Sequence, residues 1–272
     1  MDLKLGLVPV LDDEATRLAT DQIAAALGSV TERTCAVHRA PSPASLSQAF
    51  GAGDVNLVWS SPTLSLSAPE MGESVPIVTC VRQGVAHYHG VLFVRQDSPI
   101  QTVNDLEGRS VAWVARTSAA GYIYARVALA ARGLDANTLF SEERFLETHG
   151  AVVLSVLDGD VEVGATFAVF EDGDAQRPMV RAGFVDLGRE SDARVVLSTL
   201  RIPSDLFVAT PALHGELGDQ LAAAIERVAA ELPDPFHRVF GADDVVRSDP
   251  KGLGELRRQL GDARAMGVLD GR

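Results

Sequence analysis

The 272-residue sequence predicts an α/β protein of two lobes, each a mixed, mostly parallel sheet flanked by helices, joined by two hinge crossings. Three observations predict it. Short apolar segments alternate with helical periodicity through the first third of the chain. Strands such as DVNLVWS (54–60) and GVLFVR (90–95) are nearly continuous in apolar residues, which requires cover on both faces. A second series of strands and helices begins near 84–90, and the chain leaves it near 200–206. The expected division is therefore 1–86 with 203–272 as one lobe and 87–202 as the other. Such a topology favours a ligand cleft between lobes and hinge closure.

Each element has its own local reason. Leu3–Pro9 reads as a strand. In Asp13–Leu27 the residues Ala15, Leu18, Ala19, Ile23, Ala26 and Leu27 recur at three and four, and Gly28 offers a stop. Thr34–Arg39 is a second strand. Ser42-Pro43 supplies an N-cap and a proline at the first helical position, predicting a helix to about Phe50. Asp54–Ser60 is a third strand, Ser61-Pro62 starts a short helix, and Val75–Arg82 is a fourth strand. In the second unit, Gly90–Arg95, Val111–Ala115 and Val161–Phe167 read as strands, while Ala119–Arg132 and Gly150–Leu157 read as helices. Arg194–Leu200 leads out, and Ile202-Pro203 punctuates the exit. Leu213, Leu217, Leu221, Ala224, Ile225 and Val228 place one stripe on a long helix, Pro211–Glu231, and a helical tail spans Lys251–Met266.

Composition narrows the functions. A chain with 46% hydrophobic residues can bury one large core or two moderate ones. Its formal net charge is −13, from 24 basic against 37 acidic residues. Nucleic-acid binding needs a basic footprint, so no nucleic-acid partner is expected, nor attraction to an anionic membrane surface. No apolar run is long enough to cross a bilayer, so no membrane insertion is expected. Leu3–Leu11 is interrupted by Lys4 and followed by Asp12, Asp13 and Glu14, which does not read as a signal peptide. The expected location is periplasmic or extracytoplasmic if the chain is a processed form, with the cytoplasm as the alternative. Cys35 and Cys80 form no CxxC pair and read as buried thiols in neighbouring strands.

Three polar loops stand directly before helix starts: Ser60-Ser61 (WSSP), Thr117-Ser118-Ala119-Ala120-Gly121 (TSAAGY) and Thr148-His149-Gly150 (ETHGAVV). The first amides of a helix lack intrahelical partners, and the dipole places partial positive charge there. Two or three such termini facing one cleft make an anion site without Lys or Arg. Taken singly, Ser61, Ser118 and Thr148 are ordinary N-caps. His87-Tyr88-His89 puts two imidazoles on one strand face, but no third ligand is spaced for a metal. The acidic loop Glu171-Asp172-Gly173-Asp174 lacks EF-hand spacing and reads as solvated. GxSxG, HExxH, P-loop and GxGxxG signatures are absent, so neither a catalytic residue nor a cofactor is assigned.

The run VLFVRQDSPIQTVNDLEGRSVAWVARTSAAGYIYARVAL, followed by FLETHGAVVLSVLDGDVEVGAT, resembles the phosphate/phosphite/phosphonate-binding proteins of ABC importers. These have the type-2 periplasmic-binding fold. The resemblance covers about Tyr88–Phe167 and continues more weakly through WSSP and RIPSD (201–205). It implies that Thr117 and Ser118 donate to an oxyanion, that His149 approaches from the next helix start, that Tyr88 lines the cleft, and that Ser60 and Ser61 contribute from the other lobe. Ala119, Tyr122, Thr148 and Phe167 complete the candidate ligand-binding set. Three positions depart from the family's pattern: Ala120 replaces a serine, Gly150 an aspartate, and Phe167 a frequent tyrosine. The implied function is capture of a small oxyanion for ABC transport or sensing, by a monomer that partners a permease or a sensor protein. The alternative is a cytosolic enzyme on the same fold acting on a small organic anion, with His149 as acid–base group beside Tyr88 or Glu147. A third reading is an interaction domain without a ligand.

Overall fold

Strands alternate with N-capped helices from the first residues of the computed structural model, which describes residues 1–269. Leu3–Leu7 is followed by the Glu14–Thr31 helix, started by Asp13, whose carboxylate accepts from the Thr16 amide at 2.7 Å. Gly28 lies inside this helix and is not its stop. A Cβ there would sit 2.7 Å from the Arg33 carbonyl oxygen, and the turn itself falls to Glu32 in the left-handed region, φ 55°. Ser42 and Ser45 form a capping box at the start of Pro43–Gly51, as Ser-Pro predicts.

Contacts divide the chain into two units. The first is Met1–Ala86 with Pro203–Gly254, and the second is His87–Ile202 with Glu255–Arg272. The sheet of the first unit runs, in order, Asp244–Arg247, Val75–Val81, Leu206–Ala209, Leu57–Ser60, Leu3–Leu7, Cys35–Arg39. Leu3, Leu5, Leu7, Trp59 and Phe207 pack there with Ile23 and Leu27 of the first helix and with Phe236 and Phe240. The second sheet runs Ala193–Ser198, His87–Arg95, Val163–Phe170, Ser110–Trp113, Glu142–Phe145, and Met179–Ala182 pairs with Val163–Phe170. Its core gathers Val91, Phe93, Ala112, Val152, Val153, Val156 and Phe184.

Both sheets are mixed, but they are less parallel than the apolar runs predict. Leu3–Leu7 pairs in parallel with Cys35–Arg39 and Leu57–Ser60, and Ser110–Trp113 with Glu142–Phe145 and Val163–Phe170; the other strand pairs named here are antiparallel. An unbroken apolar run reports cover on both faces and carries no direction.

Several boundaries also differ. The expected Pro211–Glu231 helix is two helices, Pro211–Leu217 and Asp219–Glu231, because Gly218 takes φ 51°, ψ −129° between them. The helix Pro233–Phe240 and the strand Asp244–Arg247 follow, with no equivalent in the sequence pattern. The segment 203–272, expected whole in the first lobe, is split. The Pro250–Ala265 helix starts with the first unit, and from Glu255 onward the chain belongs to the second. The cause is apolar and polar at once: Leu256, Leu260, Ala263 and Val268 are buried, and Arg126 and Asn137 donate to the carbonyls of Val268 and Gly267. Cys35 and Cys80 are not on neighbouring strands either, since three strands stand between theirs.

Candidate anion-binding site

The second unit's loops leave the carboxyl ends of its parallel strands. Ser110–Trp113 and Glu142–Phe145 lie side by side, and past their ends the backbone stays tied. Leu146 N donates to Trp113 O at 3.0 Å and Glu147 N to Val114 O at 2.8 Å. The TSAAGY turn and the ETHG helix start are therefore adjacent. This is where open α/β sheets place ligands.

The first of these loops is not the plain helix start that the sequence predicts. Residues Ala119–Ile123 form a π-helical turn before the Tyr124–Ala130 helix. Ser118 caps it, accepting from Gly121 N at 3.1 Å, while Val114 N donates to Gly121 O at 3.2 Å. Gly121 fits because a Cβ would lie 2.4 Å from Val114 Cγ2. Ser118 and Ala119 are half-buried and Thr117 is exposed. Gly90 lets the neighbouring strand approach, since a Cβ there would meet Ala120 O at 2.8 Å. Tyr88 lies two residues earlier on the same strand face as Gly90.

In the second loop Glu147 takes φ 65° and Thr148 caps the His149–Leu157 helix, accepting from Ala151 N at 3.1 Å. His149 Nδ1 lies 3.0 Å from Thr166 Oγ1, and its ring meets Phe167 edge-on at 5.1 Å and 88°. Burial lowers the His149 pKa below its ordinary 6.5, favouring the neutral ring. Gly150 is open: a Cβ there would meet nothing within 4 Å. Ser118, Thr148, His149 and Phe167 thus stand around one end of the second sheet, where Phe167 is in register with Gly90.

Other candidates sit differently. Tyr122 is buried to 1%, its ring against Trp113 and Phe145 and its hydroxyl accepting from Arg116 Nη1 at 3.2 Å, so it supports the turn from inside. In the first unit Ser60 is buried and its hydroxyl lies 2.5 Å from that of Ser65. Its neighbour Ser61 is exposed and accepts from Leu64 N at 3.3 Å. His89 is buried with Nδ1 2.8 Å from Thr199 O and Nε2 3.2 Å from Gly173 O, which makes it a packing residue. Among the described residues no group of three or more His, Cys, Asp or Glu is placed to hold a metal ion.

The sequence pattern predicts these loops without cations, but the structure places two guanidinium groups beside them. Arg116 Cζ lies 4.8 Å from the Phe145 ring centroid, and Arg181 Cζ lies 5.7 Å from that of Phe167 while Nη2 holds Asp186 at 2.9 Å. The signal for Arg116 was its place next to Thr117. Arg181 lies on Met179–Ala182, a four-residue strand that no periodicity announces. Thr166 was visible inside VEVGAT but gained meaning only from its distance to His149.

Mixed sheets with polar helix starts at the ends of parallel strands define a class, the type-2 periplasmic-binding fold, and similar solved structures share it. XAC2383 from Xanthomonas citri, solved bound to ATP, matches with TM-score 0.69 at 21% identity over 97% of this chain and 98% of that one. PhnD1 from Prochlorococcus marinus in complex with methylphosphonate gives 0.52 at 15% identity, over 98% of both chains. The periplasmic aliphatic sulphonate binding protein SsuA from Escherichia coli gives 0.51 at 15%, over 98% of this chain and 88% of that one. A family model described as "ABC transporter, phosphonate, periplasmic substrate-binding protein" matches residues 5–246, and the chain belongs to that family. No helix among the described residues is long and apolar enough to cross a membrane.

Proposed function

We propose that this chain is a non-catalytic receptor that captures a small oxyanion, of the phosphonate, phosphate or phosphite kind, outside the cytoplasm and delivers it to an ABC permease. The observation that carries the reading is the pair of capped loops at adjacent strand ends, with the neutral His149 imidazole between Thr166 and Phe167. In this proposal Thr117, Ser118 and the Ala119 amide donate from one loop, and Thr148 and His149 from the other. Tyr88 and Phe167 line the space. A helix terminus contributes about 0.3–1 kcal/mol to an exposed anion and up to ~2 kcal/mol when partly buried, so two loops with hydroxyl donors suffice for a small guest. Arg116 and Arg181 add positive charge to a chain of net charge −13.

The test is a thermal-shift and calorimetry panel of methylphosphonate, inorganic phosphate, phosphite, methanesulfonate and ATP. An anion at about 100 times its Kd stabilises by roughly 2.7 kcal/mol. Saturable shifts with the phosphorus oxyanions, and no loss of the compound over time, are expected. No shift with any of them overturns the proposal, and a shift that decays as the compound is consumed replaces it with the enzyme reading.

A further inference from the structure

We propose that Arg126 is a positioning residue for the Ser118 turn and that the chain's C-terminal segment, residues 262–269, clamps it; the proposal rests on the anion-binding reading above. Arg126 is 0% exposed. A guanidinium so deep is tolerated when its donors are all directed at acceptors, and here each nitrogen has one. Nη1 donates to Glu143 Oε2 at 2.8 Å, Nη2 to Asn137 Oδ1 at 2.5 Å and Nε to Val268 O at 2.8 Å. Asn137 completes the clamp by donating from Nδ2 to Gly267 O at 3.2 Å.

The Cζ atom of the same guanidinium lies over the Tyr122 ring, 5.0 Å from its centroid. Tyr122 belongs to the π-helical turn that Ser118 caps, and Arg116, next to Thr117, donates to its hydroxyl. Glu143 also accepts from Trp113 Nε1 at 2.6 Å, and Trp113 meets Tyr122 edge-on at 5.5 Å. A continuous set of contacts therefore joins the carbonyls of Gly267 and Val268 to the shape of the oxyanion turn. The terminal segment touches no candidate ligand donor directly in these contacts and acts through Arg126 and Tyr122. Coupling of this kind is reciprocal: if the clamp shapes the turn, an anion on the turn tightens the clamp.

Two variants test it, a chain ending at Met266 and Arg126→Lys, which keeps the charge but not the planar fork. The readouts are amide hydrogen exchange by segment and calorimetry with inorganic phosphate. In either variant, exchange across 117–123 should quicken about fivefold or more, while the Val163–Phe170 strand keeps its protection and phosphate affinity falls by a similar factor. In the unmodified chain, saturating phosphate should slow exchange at 262–269 together with 117–123. Unchanged exchange at 117–123 in a folded variant, equal acceleration throughout the unit, or phosphate protection confined to the turn overturns the proposal. If the unmodified chain binds none of the phosphorus oxyanions the anion reading fails separately, and the exchange comparison between full and shortened chains still decides the clamp.

Discussion

The imidazole of His149 and the hydroxyl of Thr166 meet at 3.0 Å, joining the first residue of a helix to the middle of the strand that carries Phe167. The contact holds a ring whose pKa is depressed by burial, and that depression sets a pH dependence. Between the folded value and about 6.5 the unfolded chain binds more protons at this residue than the folded one. The stability associated with the neutral ring is therefore complete above about pH 6.5 and is lost as pH falls through the folded value. Thermal unfolding at about pH 7.5 and about pH 5.5 should show a larger drop in Tm for the natural chain than for His149→Gln. Equal drops would mean that His149 does not titrate as its surroundings dictate.

Two glycines at the candidate loops should respond in opposite directions. A Cβ on Gly121 meets Val114 Cγ2 at 2.4 Å and Ser118 Oγ at 2.8 Å, so Gly121→Ala overpacks the turn and should cost about 1–3 kcal/mol. Gly150 sits in the first turn of its helix with open space around it, so Gly150→Ala should stabilise by up to about 1 kcal/mol. Urea titrations with unchanged slope would report both values. A neutral Gly121→Ala would show that the turn can shift without penalty.

What the sequence made readable was chemistry confined to a few neighbouring residues. Ser42-Pro43, Ser61-Pro62 and Thr148 announce caps that the structure contains, because a cap is made within three residues. Strand direction was not readable, since Leu206–Ala209 returns antiparallel between two strands far away in sequence. Nor was the inward course of Tyr122. The Gly-Tyr pair looks like a ligand-facing motif until Arg126 and Trp113 are seen to enclose the ring. The tail after Gly254 carries an apolar stripe that suits either unit, and buried Arg126 with half-buried Asn137 decides between them.

The two thiols should be inert in the native protein. Burial pushes Cys80 up to about 12 and Cys35 up to about 11, so almost no thiolate exists near neutral pH. Their strands are separated by three others, too far for a disulfide. A thiol-specific reagent should label neither residue until denaturant is added, and both then. Rapid native labelling at Cys80 would indicate opening of the first unit's sheet.

Ser118 offers the sharpest test of the binding loops. Its oxygen accepts from Gly121 N, which leaves its O–H to donate outward. Ser118→Ala removes that donor where its partner would be buried with the guest, at a cost of about 1–3 kcal/mol, or roughly tenfold to a hundredfold in affinity. The lost cap costs stability as well, about 1 kcal/mol, so calorimetry should be run well below the melting range where every variant is folded. His87, the first residue of its strand, is the comparison: His87→Ala should change affinity for methylphosphonate or inorganic phosphate much less. Equal and negligible effects of the two substitutions would remove the Ser118 turn from the site.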